Sequence, residues 1–254
     1  MFDLSGKKAV VTGGGSGIGE AISKKMAAQG CFVYLLDFDE TKGSAVAQTI
    51  KDSGNLCEFV KCDVSKEESI IDAFAKVDGD LDILVNNAGI AHVGNLENTS
   101  YDDFQRVYDV NVKGVFGCLQ TGIKLMKNKG GAIINMSSIA SLVGISDRFA
   151  YSMSKGAVYT MTLSVAKDYL KDKIRCNCIA PARVHTPFVD GFIAKNYPGQ
   201  EQEMFENLSK TQPIGRMAEP DEVASLVVYL ASDEASFITG TCYPVDGGFI
   251  TLNN

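Results

Sequence analysis

The stretch that decides the fold is "KKAVVTGGGSGIG", residues 7–19. Its first half is an apolar run of the kind that forms a strand buried on both faces of a sheet. Its second half crowds five glycines into seven residues, directly before a helical pattern that runs to Gly30. Glycines at such a turn let backbone amides approach a pyrophosphate at a helix N-terminus. The stretch therefore predicts a phosphate-binding turn, with an ordinary tight turn as the alternative.

The same alternation of apolar strand and amphipathic helix continues along the chain. Strands are predicted at 7–13, 31–37, 56–64, 81–89, 131–138, 173–181 and 241–248. A further helix opens with Pro220, a residue well suited to a first helical turn. Alternation of this kind predicts an α/β protein with a doubly wound parallel sheet of the Rossmann type and right-handed crossovers. No linker composition or internal repeat divides the chain, so residues 1–254 are expected to form a single domain.

Residues 186–216 interrupt this rhythm. The segment is longer and more polar than a simple connection between two elements. Because it follows the carboxyl end of a predicted strand, we expect it to act as a lid over a binding site.

Composition excludes several classes of function. The net charge is −7 and the pI is about 4.9, which disfavours nucleic acid and anionic membranes as partners. The sequence shows neither a signal peptide nor an apolar run of about 18 residues, so a cytoplasmic location is expected. Seven cysteines without a CxxC pair and only two histidines predict reduced thiols and no metal site.

An acidic residue lies at the end of the second predicted strand, after the glycine-rich turn. Asp37 ends the second predicted strand, roughly 20 residues after the turn, where a carboxylate can accept hydrogen bonds from the ribose hydroxyls of a dinucleotide. The same carboxylate would repel the extra phosphate of NADP. Ser16 and Phe38 occupy the positions that would otherwise carry Arg or Lys. The pattern favours NAD, while a turn or helix-capping acid is the alternative for Asp37.

The sequence contains six short motifs in the following order: "TGGGSGIG" at 12–19, "NNAG" at 86–89, "VNVKG" at 110–114, "MSS" at 136–138, "YSMSK" at 151–155 and "PARVHTP" at 181–187. This order resembles the short-chain dehydrogenase/reductase family over essentially the whole chain. The length is similar to that of the compact members without a C-terminal substrate domain. One departure is Ala182, which stands where the family usually has glycine, so the turn after Pro181 is expected to differ.

The resemblance implies four catalytic residues: Asn111, Ser138, Tyr151 and Lys155. Tyr151 and Lys155 are four apart and would project from one face of a helix. A free tyrosine has a pKa of about 10, and we expect the ammonium and an oxidised nicotinamide to lower that pKa. Tyr151 would then exchange a proton with the substrate oxygen, which Ser138 would orient. Asn111 would connect Lys155 to solvent through water.

The resemblance also implies a set of cofactor contacts. They are Gly13, Ser16, Gly17, Ile18 and Gly19 at the pyrophosphate, Asp37 at the ribose, Asp63 and Val64 beside adenine, Asn87 and Gly89 near the ribose, and Tyr151, Lys155, Val184 and Thr186 at the nicotinamide. For the neighbouring Asn86, a strand-end stabilising turn is an equally good interpretation.

A charged residue close to Tyr151 bears on the substrate. Arg148 lies three residues before Tyr151, and a guanidinium there can bind a carboxylate with two hydrogen bonds. Some family members that oxidise short hydroxy acids or keto-deoxy sugar acids carry an arginine at this spacing. The alternatives are a solvated Arg148 or one paired with Asp147 or the lid. The substrate residues are thus predicted to be Ser138, Arg148 and Tyr151, with Arg183, His185 and Lys195 adding polar groups near the lid.

Three functions remain open at this point. The first is an NAD-dependent dehydrogenase of a sugar acid, hydroxy acid or sugar, which matches Asp37. The second is an NADPH-dependent 3-oxoacyl-type reductase. The third is a nucleotide-sensing protein without catalysis, which the intact Ser138, Tyr151 and Lys155 disfavour. The resemblance further implies a homotetramer, in keeping with two predicted helices, 104–126 and 151–170, that carry apolar residues on more than one face.

Overall fold

Seven apolar stretches form strands, and within the described residues they pair into one parallel sheet. The structure is a computed structural model that describes residues 1–252, except for the side chains of Lys195 and Asn196. The strands are β1 (Lys8–Thr12), β2 (Phe32–Asp37), β3 (Cys57–Lys61), β4 (Ile83–Asn86), β5 (Gly131–Met136), β6 (Ile174–Pro181) and β7 (Cys242–Val245). Their order is β3-β2-β1-β4-β5-β6-β7. The predicted fold class is confirmed, although most strands end earlier than predicted.

Helices connect the strands and cover both faces of the sheet. They are α1 (Gly17–Ala28), α2 (Glu40–Asp52), α3 (Glu67–Phe74), α4 (Tyr101–Tyr108), α5 (Gly114–Met126), α6 (Phe149–Asp168), α7 (Pro187–Asn196), α8 (Glu201–Lys210) and α9 (Pro220–Ala231). Among the residues that the structure describes, no helix combines the length and the apolar character needed to cross a membrane.

The strands are apolar throughout because both of their faces are buried. Ala9 and Val11 of β1 belong to a core that includes residues of α1, α2 and α9. Val10, between them, belongs to the opposite core, which includes residues of α3, α5 and α6. Successive side chains of a strand point to opposite faces, so a near-continuous apolar run supplies two cores at once.

The strand order reverses next to β1. The chain builds β2 and β3 on one side of β1 and then returns to place β4 on its other side. The loops that follow β1 and β4 therefore diverge and leave a crevice at the carboxyl edge of the sheet, the position where open α/β sheets bind their ligands.

The helix predicted at 104–126 differs from the observed one. It begins at Tyr101, where the Ser100 hydroxyl accepts a hydrogen bond from the Asp103 amide at 3.0 Å. It also contains a π turn at Asp109–Lys113, closed by a bond from the Gly114 amide to the Asp109 carbonyl. The turn inserts one extra residue and buries Asn111. Periodicity alone does not distinguish such a turn from a continuous α-helix.

The interruption predicted at 186–216 contains two helices. Pro187 begins α7, and α8 follows it before the chain continues into the helix α9. The end of the segment is anchored by Arg216, whose guanidinium makes two hydrogen bonds to the Glu222 carboxylate at 2.7 and 2.8 Å. A lid role for this segment stays a prediction.

Candidate active site

The predicted site residues lie along the carboxyl edge of the sheet. Most of them lie at the end of one of the strands β1 to β6 or in the loop after it. The exceptions are Asn111 on the π turn and the pair Tyr151 and Lys155 on α6. The carboxyl ends of parallel strands meet at one edge, and this brings together residues that are far apart in the sequence.

The glycine-rich turn after β1 is packed tightly against the turn after β4. A Cβ on Gly19 would lie 1.9 Å from the Gly13 carbonyl oxygen, and one on Gly13 would lie 2.8 Å from the Ala88 Cα. Gly13 also has a φ of +64°, which glycine adopts without strain. The Asn87 side-chain amide donates to the carbonyl oxygens of Thr12 at 3.1 Å and Gly13 at 3.0 Å. Asn87 therefore holds the glycine turn in place.

The N-terminus of α1 fits a phosphate group. Ser16 occupies the N-cap position, but its side chain makes no capping hydrogen bond. The amides of the first turn consequently have no side-chain acceptor, and such amides attract an anion. Gly17 has a φ of +54°, and a Cβ there would lie 3.3 Å from the Thr186 Cγ2. Ile18 and Gly19 complete the first turn of the helix. The residues present thus fit the pyrophosphate of a dinucleotide.

Asp37 lies beside this turn at the end of β2. One carboxylate oxygen accepts from the Gly15 amide at 2.8 Å and the other from the Asp39 amide at 2.9 Å. These bonds fix the carboxylate and leave each oxygen able to accept again. The adjacent Phe38 is 68% exposed. The nearby cations are already committed, because Lys42 pairs with Asp39 and Lys61 with Glu40.

The remaining predicted cofactor contacts lie in the neighbouring loops. The Asp63 carboxylate accepts from the Ser65 amide at 3.1 Å and pairs with Lys66. Val64 packs against Gly114, whose added Cβ would lie 3.0 Å from the Val64 carbonyl oxygen. After β6, Val184 forms a bridge with Ala218, and Thr186 occupies the N-cap position of α7 without a side-chain capping hydrogen bond.

Ala182 replaces the usual glycine without strain. Its amide donates to the Val245 carbonyl at 3.0 Å, so the chain continues beside β7, and its φ is not positive. Residue 182 therefore does not need glycine in this chain, and a difference of this turn from that of the family stays a prediction.

Ser138 and Tyr151 meet at the end of β5. Ser138 is buried, and its hydroxyl donates to the Pro181 carbonyl at 3.5 Å and accepts from the Ala140 amide at 3.2 Å. Tyr151 lies in the first turn of α6, where the Ser138 hydroxyl is close enough to act on its phenol. A serine hydroxyl and a phenol side by side can both bond to one substrate oxygen.

The protein's own groups raise the pKa of Tyr151, and the lowering expected with an oxidised nicotinamide stays a prediction. Burial raises the pKa of the phenol, and the Ser138 hydroxyl and the Arg148 charge only partly oppose this effect. Among the described contacts, Lys155 makes no hydrogen bond to the phenol. Its Nζ lies 5.8 Å from the centre of the Tyr151 ring and donates instead to the Met136 carbonyl at 2.8 Å. The chain's own groups thus keep the phenol protonated at neutral pH.

Lys155 is a buried cation with no carboxylate partner among the described residues. Its residue is 6% exposed, and burial lowers its pKa from 10.5 to about 8. Removing an ammonium from water disfavours its charged form, and a single carbonyl offsets only part of that cost.

Asn111 is fully buried, and its side chain is held by protein groups. The amide donates to the Ile90 carbonyl at 2.9 Å and to the Ser154 hydroxyl at 3.0 Å, while its oxygen accepts from the Ile90 amide at 2.8 Å. Gly89 lies close to both Asn111 and Lys155. A Cβ added to Gly89 would lie 3.3 Å from the Asn111 Oδ1 and 3.4 Å from the Lys155 Nζ. A proton relay through water stays a prediction.

Arg148 is the N-cap residue of α6 and is partly exposed. Its guanidinium donates to the backbone carbonyl of Asp147 at 3.0 Å and has no carboxylate partner in the described part of the chain. Hydrogen bonds between Gly94 and the flanking residues 147 and 149 tie this turn to the loop after β4. By contrast, His185 bonds to Asp190 at 2.9 Å and packs on Phe205, as a structural loop histidine does. The side chain of Lys195 lies outside the described residues.

The sequence alone did not identify two buried polar groups of this region. The His92 Nδ1, in the loop after β4, and the Gln212 Oε1, after α8, are buried and have no hydrogen-bond partner. No motif marks either residue, because each stands alone in a loop.

The fold and its carboxyl edge define a dinucleotide-binding oxidoreductase of the α/β type. A family model described as enoyl-(acyl carrier protein) reductase matches residues 13–250. The chain belongs to the short-chain dehydrogenase/reductase family, whose fold binds a nicotinamide dinucleotide.

Relatives cover nearly the whole chain. An uncharacterized oxidoreductase of Thermotoga maritima is 38% identical over 97% of this chain and 98% of its own length. A 2,5-dichloro-2,5-cyclohexadiene-1,4-diol dehydrogenase of Sphingobium indicum is 38% identical over 99% of this chain and 100% of its own. The crystal structure of L-sorbose reductase from Gluconobacter frateurii with NADPH and L-sorbose has a TM-score of 0.93 at 29% identity, covering 98% of each chain.

The lowered pKa of Lys155 predicts a stability difference that depends on pH. Below pH 8, Lys155 is charged in both the folded and the unfolded chain, and folding bears the full cost of its burial. Between about pH 8 and 10.5 the unfolded chain binds more protons than the folded one, so this cost disappears as pH rises. We expect Lys155→Met to be more stable than the wild type at pH 7 by about 3 kcal/mol. Urea unfolding at pH 7 to 9.5 measures this difference, which should shrink above pH 8.

The control is Lys167→Met, which removes an exposed lysine from the same helix. It should leave the stability within about 0.5 kcal/mol of the wild type at every pH. A pH-independent difference between Lys155→Met and the wild type would contradict the buried charge.

Proposed function

We propose that the protein is an NAD-dependent dehydrogenase that interconverts a secondary alcohol and a ketone, with Tyr151 as the general acid and base. The observation that carries this proposal is the meeting of the Ser138 hydroxyl and the Tyr151 phenol beside Lys155, at the carboxyl edge of the sheet. One substrate oxygen placed between the two hydroxyls would satisfy both.

Each residue has a defined task. Ser138 would hold the substrate oxygen, an electrostatic role that matters most as charge develops there. In the reductive direction Tyr151 donates its proton to that oxygen, which its raised pKa favours. In the oxidative direction it removes the alcohol proton. When bound, an oxidised nicotinamide would supply the hydride acceptor for the carbinol carbon and a positive charge that favours the phenolate. Lys155 and Asn111, both facing Gly89, would return protons to solvent through water.

The charge around Asp37 supports NAD as the cofactor. Its carboxylate is fixed at the end of β2, and the nearby Lys42 and Lys61 already pair with Asp39 and Glu40. No free cation among the described residues of this turn would meet the extra phosphate of NADP, whereas ribose hydroxyls would find an acceptor.

The substrate is proposed to be a sugar acid, a hydroxy acid or a sugar. Arg148 has no carboxylate partner in the described chain and lies one helical turn from Tyr151, which suits a carboxylate on the substrate. The likeness to L-sorbose reductase supports a polyhydroxylated compound. The helices α7 and α8, within 186–216, are proposed to cover the bound substrate.

An NADPH-dependent 3-oxoacyl-type reductase is the second candidate. The description of the matching family model and the NADPH in the L-sorbose reductase structure favour it. The two candidates differ in the cofactor used, so turnover with NAD and NADP, measured over a panel of sugar acids, sugars, polyols and hydroxy acids, separates them.

Replacing Tyr151 by Phe is expected to reduce turnover by a far larger factor than it weakens dinucleotide binding, in which Tyr151 is one of many predicted contacts. The substitution removes only the hydroxyl, and a general acid or base contributes roughly 10² to 10⁴ in rate. Steady-state kinetics and calorimetric titration with NAD measure the two properties. Ser138→Ala should lose a smaller factor in kcat. Full activity in Tyr151→Phe would show that the catalytic assignment is wrong and would reopen the nucleotide-sensing alternative.

Replacing Asp37 by Asn is expected to weaken the preference for NAD by at least about tenfold, because one charge that opposes the extra phosphate is removed. The ratio of kcat/KM for NAD to that for NADP measures this. The matched control is Asp52→Asn, which removes an equal charge at the other end of α2 and leaves the pairs Lys42–Asp39 and Lys61–Glu40 in place. A wild-type preference for NADPH would rule out the NAD proposal.

The protein is proposed to form a homotetramer. Phe116 on α5 and Leu163 on α6 are exposed by 53% and 39%, and Phe237 is fully exposed. Association would remove these side chains from water. Light scattering is expected to give about four times 27.2 kDa. A monomeric mass would contradict this expectation.

A further inference from the structure

Two cysteines face each other across the last two strands of the sheet. Cys178 of β6 and Cys242 of β7 are paired residues in the parallel register. The Cys178 amide donates to the Thr241 carbonyl at 2.9 Å, and the Thr241 amide donates to the Asn177 Oδ1 at 3.1 Å. These bonds fix the register directly beside the pair. Residues paired in register project from the same face of a sheet, so the backbone itself makes the two thiols neighbours.

Both thiols lie on the face of the sheet that α6 covers. Cys176, two residues before Cys178 on the same strand, belongs to the core that includes residues of α6, whereas Ile179 belongs to the core on the opposite face. Cys178 is fully buried. Cys242 lies on β7, the edge strand of the sheet, and is partly exposed. The pair therefore has one shielded member and one member within reach of a small molecule.

The spacing of neighbouring strands suits a disulfide. Hydrogen-bonded strands lie about 4.8 Å apart. Disulfides join cysteines whose Cα atoms are roughly 4.4 to 6.8 Å apart. Both cysteines are free thiols in this structure. A bond between the sulfur atoms of Cys178 and Cys242 therefore needs rotation of two side chains rather than rearrangement of the strands.

The two thiols differ in acidity. Their interaction, with the Cys178 thiol as hydrogen-bond donor, lowers the pKa of Cys242 and raises the pKa of Cys178. A lowered pKa increases the fraction of thiolate, which is the nucleophilic form of cysteine. Burial raises the pKa of the remaining five thiols, which are those of Cys31, Cys57, Cys62, Cys118 and Cys176. Cys242 is thus the thiol that an oxidant should meet first.

We propose that Cys178 and Cys242 form an oxidation site at which a hydroperoxide converts the two thiols into an intrachain disulfide. The pair lies outside the residues assigned to hydride transfer. The inference is therefore independent of the proposed function, and its test needs no substrate.

The chemistry takes two steps. The Cys242 thiolate attacks one oxygen of hydrogen peroxide, the O–O bond breaks, and the leaving hydroxide is protonated to water, which leaves a sulfenic acid on Cys242. The Cys178 sulfur then attacks the Cys242 sulfur, the S–O bond breaks, and the hydroxide leaves as water with the Cys178 proton. Two thiols and one hydrogen peroxide give one disulfide and two waters.

The disulfide would close a covalent loop around a large part of the chain. Residues 179–241 contain α7, α8 and α9, so the proposed lid lies within this loop. A cross-link restricts the unfolded chain, and the restriction stabilises the native state more when the loop is long. The bond would also fasten β7, which pairs with β6 alone in the described sheet.

Peptide mapping without reductant tests the bond. The full-length protein is treated with a small excess of hydrogen peroxide, alkylated in denaturant and digested. Peptides that contain Cys178 and Cys242 should become linked, with the loss of two hydrogens, and the free thiols should fall from seven to five. Dithiothreitol should restore all seven.

Three variants separate the two steps. In Cys242→Ala no link should form, and thiol loss should slow at least about tenfold, because the reactive thiolate is missing. Cys178→Ala should stop at a sulfenic acid on Cys242, which dimedone traps. The matched control is Cys176→Ala, which removes a thiol from the same strand and face but not from the pair. It should form the link as the wild type does.

Three outcomes would overturn the proposal. The site is refuted if all seven thiols of the native protein stay free in peroxide. Oxidation of Cys242 to a sulfinic acid without any link would show that Cys178 does not reach it. The oxidised wild type should melt at least about 3 °C higher than the reduced protein. A lower melting temperature would mean that the bond forms only by distorting the sheet, contrary to the fit inferred from the register.

Discussion

The contact between Gly13 and Gly19 is the constraint on which the rest of the site depends. The start of α1 packs so closely on the end of β1 that any side chain at residue 19 would overlap the Gly13 carbonyl. This contact points the first turn of α1 along the crevice beside β4. The Asn87 amide then ties the β4 loop to the same turn. Both loops at the switch point are thus fixed to each other, and the β4 loop continues to Gly89, where an added Cβ would lie 3.3 Å from the Asn111 Oδ1 and 3.4 Å from the Lys155 Nζ.

The sequence predicted the sheet well because each strand has to supply two cores, and only a near-continuous apolar run can do this. It predicted strand ends less well, since residues such as Val64 remain apolar for packing after the backbone has left the sheet. The π turn at Asp109–Lys113 was not predictable, because one extra residue in a helix leaves no mark on an apolar pattern. The sequence also did not show that residue 182 lacks a positive φ, which is why alanine is accommodated there.

The candidate site was predictable where its geometry is local. Tyr151 and Lys155 share a helix face, and four residues of separation show this directly. The direction of the Tyr151 pKa was not predictable, because it depends on how deeply several distant elements bury the phenol. Arg183 contacts the hydroxyl of Thr211, which lies 28 positions later in the sequence. Gln212 contacts the same hydroxyl from an isolated position in a loop. No spacing rule reports on such contacts, and only the folded chain reveals their unused donors and acceptors.

The charges along the carboxyl edge are distributed unevenly, although the chain as a whole carries −7. At the β2 end, Asp37 is fixed by two amides while the neighbouring lysines are paired with other acids. At the α6 end, Lys155, Arg148 and Arg183 have no carboxylate partner among the described residues. A buried cation without a carboxylate partner costs stability, and this cost is largest for Lys155, which is held by one backbone carbonyl. Under the proposed function, the fixed Asp37 carboxylate at the other end would oppose the extra phosphate of NADP.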